Sequence, residues 1–173
     1  MNRSIIKKPK GKKQRKTLTN VNILMILRQK FGNILPPYYD IFMHQEDTQY
    51  LLYINKTPLP KHDVSNGIGY ISFTVDDDEI NVMFVWTTIR KQGIGHYLMF
   101  LVAFIGNLFN INKIFLDDDS NLAHNGSLYE NLNCTYENEP PNPEMVCSPS
   151  GILSKQQLFS DKYIYAKNSW FRG

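Results

Sequence analysis

The sequence predicts an α+β domain built on a mixed, mostly antiparallel sheet flanked by helices. Three observations carry this. Residues 49–89 hold three apolar runs rich in β-branched and aromatic residues, separated by a proline-containing turn and an acidic one. An amphipathic stretch precedes them, and an apolar stretch of helical length follows. That stretch separates the third run from a fourth, "KIFLDDD", and a connection of this length makes the last two strands parallel.

The elements follow in order. "TLTNVNILMILRQKFGN" starts with capping-type Thr and Asn and places Val21, Leu24, Met25, Leu27 and Phe31 at helical spacing, with a stop at Gly32-Asn33. Pro36-Pro37 opens a shorter segment, "PYYDIFMHQ", expected as helix or loop. "QYLLYIN", "IGYISFTV" and "INVMFVWTTI" are the three strands of a meander. In the third, Val82, Phe84 and Trp86 alternate with Met83, Val85 and Thr87, so both faces are apolar and the strand is expected at the sheet's centre. A helix from Gly95 to Phe109 and the strand "KIFLDDD" come next, then "LAHNGSLYENLN" as a helix. "NCTYENEPPNPEMVCSPSGILS" is rich in Pro, Asn and Ser and reads mostly as loop, its 136–150 portion long enough to cover a site. "DKYIYAK" reads as a final strand. The two "GIG" triplets, 67–69 and 93–95, sit in different contexts and make no repeat.

At 173 residues the chain is long enough for one domain with a core, and 42% apolar residues exclude a disordered chain. Abundant Asn, Ile, Lys and Tyr suggest an AT-rich coding sequence, such as that of a virus or parasite. Cys134 and Cys147 make no disulfide framework and no zinc spacing, and read as small apolar or exposed thiols of a reducing compartment. No apolar h-region follows the basic N-terminus, and Tyr97 to Phe109 falls short of a membrane span. The expected location is intracellular, cytoplasmic or nuclear, without membrane contact. Residues 1–20 hold eight Lys or Arg and no acid, whereas the remainder holds eleven basic residues against sixteen acidic ones. A basic arm over residues 1–16, expected to be disordered, therefore precedes a slightly acidic domain over 17–173. Residues 3–16 fit nucleic acid, a nuclear-import signal, or a solubilising tail.

Between the third strand and the long helix stands "IRKQGIGHYL". A strand-to-helix turn of bare backbone presents N–H groups at a helix start, where the helix dipole also favours anions. Glycine lets a phosphate approach without a Cβ in the way, and Arg90 and Lys91 add positive charge. The third glycine of a dinucleotide fingerprint is absent, Leu98 standing there, and GK[ST] of a P-loop is absent too. Spacing alone leaves a phosphate loop and a plain tight turn both open.

Arg90-Lys91-Gln92-Gly93-Ile94-Gly95 resembles the R/Q-x-x-G-x-G/A loop of the GNAT superfamily of N-acetyltransferases. "FVWTTIRKQGIG" is similar to that family's "YVxPxYRGxGIG", with Thr87 in place of proline, and "SLYENLNC" to its "xLYEKLGF". The match spans about residues 66 to 135; outside it only the order of elements agrees. The resemblance implies acetyl-CoA as acyl donor. Backbone N–H groups of residues 91–96 would hold the pyrophosphate, with Arg90, Lys91, Gln92, Gly93, Ile94, Gly95 and His96 as the contact set. Strand 80–89 would splay from strand 113–118, with the pantetheine in the gap beside Phe84 and Val85. Tyr129 would act as general acid toward the departing thiolate; read from residues alone, it is a half-buried helix aromatic between Leu128 and Leu132. The family often has Asn seven residues before this tyrosine, where Leu122 stands here with Asn121 one step earlier, so the resemblance implies Asn121 or Asn125 as the pantetheine contact. Asn133-Cys134 replaces Gly-Phe, and Asn accepts the left-handed conformation such a turn needs.

For the base, Glu79 resembles in position a glutamate that some members use; it is equally one of the polar residues of the turn Asp76-Asp77-Asp78. Asp117 ends the parallel strand and suits a water relay or a cationic acceptor. The run 117–119 lacks a second carboxylate cluster, and His44, His62, His96 and His124 show no paired spacing, so no metal site is expected. The resulting expectation is transfer of acetyl from acetyl-CoA to a primary amine of a protein or small molecule, by direct attack. The alternative is an inactive binding protein of the same fold that uses its basic arm on nucleic acid or a partner.

Overall fold

A computed structural model describes residues 20–88, 93–118, 128–139 and 142–157 of the chain. The basic arm and the expected strand 161–167 lie outside these residues, as do Arg90, Lys91, Gln92, Asn121 and His124.

The first helix, α1 (Asn20–Phe31), buries Ile23, Leu27 and Phe31, one residue per turn along one stripe. Met25, expected on that face, is exposed. Arg28 ties the helix to the next element: Nε and Nη2 donate to the Ile41 carbonyl at 3.0 and 2.7 Å, and Nε lies 3.0 Å from Asp40 Oδ1.

The segment expected as helix or loop after Pro36-Pro37 is instead a strand, β1 (Asp40–Glu46). Its sequence alternates: Ile41 and Met43 face the main core, while Phe42 joins a smaller cluster on the other face. A two-residue turn, with Asp47 at φ 52°, folds it onto β2 (Gln49–Asn55) with Glu46 opposite Gln49. β3 (Gly69–Val75) and β4 (Glu79–Thr87) continue the meander, which therefore has four strands where three were expected. After α2 (Ile94–Leu108), β5 (Lys113–Asp117) joins β4 in parallel, as expected.

Beyond β5 the stretch read mostly as loop holds β6 (Thr135–Tyr136), β7 (Glu144–Cys147) and α3 (Pro149–Leu153). The described part of the 136–150 segment thus extends the sheet. The order of the seven described strands is β1-β2-β3-β4-β5-β7-β6, every pair antiparallel except β4–β5. This is the mixed α+β architecture the sequence predicts.

Cys134 and Cys147, read as separate thiols, form a disulfide. The reason is local. Thr135 pairs with Val146, so the residues just outside that pair face each other, with Cα atoms 4.4 Å apart.

α1 and α2 pack on one face of the sheet, in a single core with Ile54, Ile71, Phe73 and Ile114. Leu51, Tyr53 and Val64 form the second cluster on the opposite face, where Leu59 N donates to Tyr53 Oη at 2.9 Å. Gly106 lets α2 come close to α3: a Cβ there would lie 2.8 Å from Pro149 Cγ and 3.5 Å from Ile80 Cδ1. Gly106→Val is expected to destabilise the fold by about 1–3 kcal/mol through overpacking, read as a lower urea midpoint at unchanged slope.

Tyr97 is buried in α2 and donates from Oη to the Phe31 carbonyl at 3.0 Å, at the end of α1. Burial, and secondly the Asp40 carboxylate, push its phenol well above the usual tyrosine range. Because the folded value is raised, this contribution to stability is full below about pH 10 and is lost as pH rises from there through the folded value. Tyr97→Phe is expected to cost roughly 1–2 kcal/mol at pH 7 and to flatten this alkaline loss in urea titrations run between about pH 9 and 11.

Candidate functional site

β4 is the strand around which the site is built. Against β3 its register shifts by one residue: Phe73 faces Val82 but Ser72 faces Phe84, so Met83 is extra. A bulge of this kind bends the strand and increases its twist. On its other edge β4 pairs with β5 only through Glu79, Ile80 and Asn81, opposite Lys113, Ile114 and Phe115. From Val82 to Thr87 it has no parallel partner among the described residues, while Leu116 and Asp117 of β5 pair with β7. The two parallel strands therefore part in a V that closes at Asn81–Phe115 and opens toward their carboxyl ends. Met83 and Phe84 stand exposed along the open part at 55% and 65%, and Val85 is half-buried. A strand edge left without a neighbour can accept an extended ligand as though it were another strand.

At the open end the chain turns into α2. Gly93 is the N-cap, at φ 78° and ψ 4°, a left-handed conformation that glycine adopts without strain, and no side chain among the described residues caps the helix there. Its carbonyl accepts the first helical bond, from Tyr97 N at 3.0 Å. Ile94, Gly95 and His96 form the first turn, where amides lack intrahelical acceptors and the helix dipole is positive. Ile94 is buried and His96 half-buried. Such an end favours an anion.

Both ends of the turn rest on the other "GIG" triplet, a support that the sequence reading missed. Thr88 Oγ1 donates to the Gly67 carbonyl at 2.8 Å, and Thr88 N to that of Ile68 at 3.0 Å. A Cβ on Gly69 would lie 2.7 Å from Ile94 Cγ2. The signal was present in the sequence as the doubled glycine spacing, but only tertiary contact shows that one triplet seats the other.

Tyr129 stands where a turn begins rather than in the expected helix. Among the described residues, 128–133 form a turn and a 3-10 segment, Glu130–Leu132. The Tyr129 carbonyl accepts from Leu132 N and Cys134 N, both at 3.0 Å, and its half-buried side chain packs against the main core. Asn133 takes the left-handed conformation at φ 61°, as expected of it. Leu128 meets the glycine turn, since a Cβ on Gly95 would lie 3.1 Å from Leu128 Cδ2. The segments "GIG" and "LYE" are thus neighbours in space.

Glu79 is placed differently. It sits half-buried at the closed end of the V, and Asn81 Nδ2 donates to its Oε1 at 3.2 Å. Seven residues of β4 separate it from Thr87, roughly 26 Å of extended chain. Phe84 and Val85 lie between these two ends. Asp117 is exposed, whereas Asp118 is buried at the end of β5 and accepts from Tyr136 Oη at 3.0 Å. The sequence did not distinguish this carboxylate from its neighbours in "DDD". No group of His, Cys, Asp or Glu suited to a metal occurs among the described residues. A cavity of about 220 Å³ lined by His44, Tyr50, Lys61 and Ser72 lies on β1–β3 and their loops and includes no expected site residue. No helix among the described residues is long and apolar enough to cross a membrane.

No family model and no curated protein sequence matches the chain. Solved structures similar to it include GNAT-family acetyltransferases. One is YhbS of Escherichia coli with CoA, 12% identical over 74% of this chain and 68% of that one, at a TM-score of 0.42. Another, from Elizabethkingia anophelis with acetyl-CoA bound, is 11% identical over 65% of this chain and 97% of that one, at 0.45. The anti-CRISPR protein AcrVA5 is 22% identical over 46% of this chain and 90% of that one, at 0.37.

Proposed function

We propose that this chain is a GNAT-type N-acetyltransferase that moves acetyl from acetyl-CoA to a primary amine. The observation that carries the reading is the V between β4 and β5, which opens beside a helix started by a left-handed glycine. The residues fit the donor. An uncapped helix start suits the pyrophosphate, at the amides of Ile94 and Gly95, with Arg90, Lys91, Gln92 and His96 completing the contact set. The edge of β4 beside Phe84 and Val85, unpaired among the described residues, suits an arm that carries amides, with Asn121 as a further contact.

Bound acetyl-CoA supplies the acetyl group as a thioester. The chain's tasks are to align the thioester with the amine, to take up the amine's proton, and to protonate the leaving sulfur. Tyr129 Oη is assigned the last task. Glu79, at the closed end of the V, is assigned proton uptake through water, and its bond from Asn81 orients the carboxylate.

The test incubates the full chain with acetyl-CoA and a panel of amines: a lysine peptide, a peptide with a free N-terminus, and a polyamine. Release of the CoA thiol, with one acetylated product of matching mass, is expected. Binding of acetyl-CoA with no product on any acceptor would instead favour a binding protein of this fold. Deleting residues 1–16 then tests the arm: a shallower dependence of DNA affinity on salt is expected if it contacts phosphates.

A further inference from the structure

The Cys134–Cys147 disulfide spans 13 residues, and both cysteines are buried. Cys134 ends the turn that starts at Tyr129, since its amide donates to the Tyr129 carbonyl. Cys147 ends β7 opposite Ile114 of β5, one of the strands that bound the V. Ser148 follows and caps α3, accepting from Gly151 N at 3.0 Å. Asn133 Nδ2 in turn donates to the Gly151 carbonyl at 2.9 Å. A covalent link therefore runs to the turn from β7, which pairs with β5, and a packing contact continues it from Leu128 to Gly95. Besides the bond, the turn has a three-residue 3-10 segment, a two-residue strand, the Asn133 side chain and the packing of Leu132 and Tyr129 on the core. Short elements of this kind are weak anchors.

We propose that the Cys134–Cys147 disulfide is a positioning device for Tyr129, and that a dithiol which reduces it slows acetyl transfer. The reduction balances: the dithiol's sulfurs join in their own disulfide, and two electrons and two protons pass to Cys134 Sγ and Cys147 Sγ. Both sulfurs are buried, so local opening must precede the attack, and reduction is slow. The inference rests on the reading of Tyr129 as the acid.

The experiment compares the full oxidised chain, the same chain reduced with dithiothreitol, and the Cys134→Ser/Cys147→Ser double variant with and without dithiothreitol. Amide hydrogen exchange and steady-state kinetics are measured on each. Reduction is expected to speed exchange at Leu132, Asn133 and Cys134 by about tenfold or more, and to leave β1–β3 within about twofold. It should lower kcat about tenfold while the KM for acetyl-CoA moves by less than about threefold. The double variant should behave as the reduced chain and ignore dithiothreitol. Unchanged exchange at the turn, or an equal rise throughout the sheet, overturns the positioning role. If the oxidised chain transfers no acetyl, the acetyltransferase reading fails by itself, and the exchange pattern still decides whether the bond positions the turn.

Discussion

Gly93→Glu is expected to lower acetyl-CoA affinity at least about 100-fold while the chain stays folded. Two effects act together. An L-residue at φ 78° costs about 1–2 kcal/mol of local strain, which favours a rearranged turn. A carboxylate beside a pyrophosphate adds like-charge repulsion, about 4 kcal/mol for unit charges 4 Å apart near a protein surface. The sum exceeds the roughly 2.7 kcal/mol that a 100-fold loss requires. Folding survives because an acid at a helix start gains from the dipole and offsets part of the strain. Gly93→Ala separates the effects: it keeps the strain without the charge and should lose no more than about tenfold. Calorimetry with acetyl-CoA, paired with circular dichroism, checks both variants. Wild-type affinity in Gly93→Glu would remove the pyrophosphate assignment.

Tyr129→Phe is expected to reduce kcat by about 10²–10⁴ and to leave acetyl-CoA affinity within about threefold. The ring remains, and with it the packing of this side chain against the core. Its backbone carbonyl keeps both bonds, from Leu132 and Cys134. What is lost is the phenol proton that the proposed acid role requires. A fall in affinity equal to the fall in kcat/KM would mean a binding role, and an unchanged kcat would end the acid assignment.

Much of this fold is legible in the sequence because its central elements are apolar in the pattern of their own period. β2, β3 and β4 carry β-branched and aromatic residues over seven to nine positions, and α2 is apolar for a helix's length. β1 is harder to see. It is an edge strand after Pro36-Pro37, with polar His44, Gln45 and Glu46 along half its length, so its alternation is diluted. The β6–β7 ribbon is harder still: strands of two and four residues carry little periodicity, and tertiary pairing and the disulfide hold them.

The candidate site was legible where backbone chemistry dictates residue type. A left-handed helix start asks for glycine, and Gly93 is one. Where pairing decides, the residues alone were silent, and only the family resemblance led to an expected splay of strand 80–89 from strand 113–118. The bulge at Met83 and the parting of β4 from β5 after Asn81 are matters of register, and an apolar run reads the same with or without them. The seat that Gly67 and Gly69 provide for Thr88 and Ile94 depends on contacts between residues far apart in the chain.

The most direct test is a crystal structure of the full chain grown with acetyl-CoA. The account predicts the pyrophosphate on the amides of Ile94 and Gly95, and the pantetheine paired along β4 past Asn81 beside Phe84 and Val85. Acetyl-CoA bound elsewhere, or a V that stays empty at saturating acetyl-CoA, would contradict it.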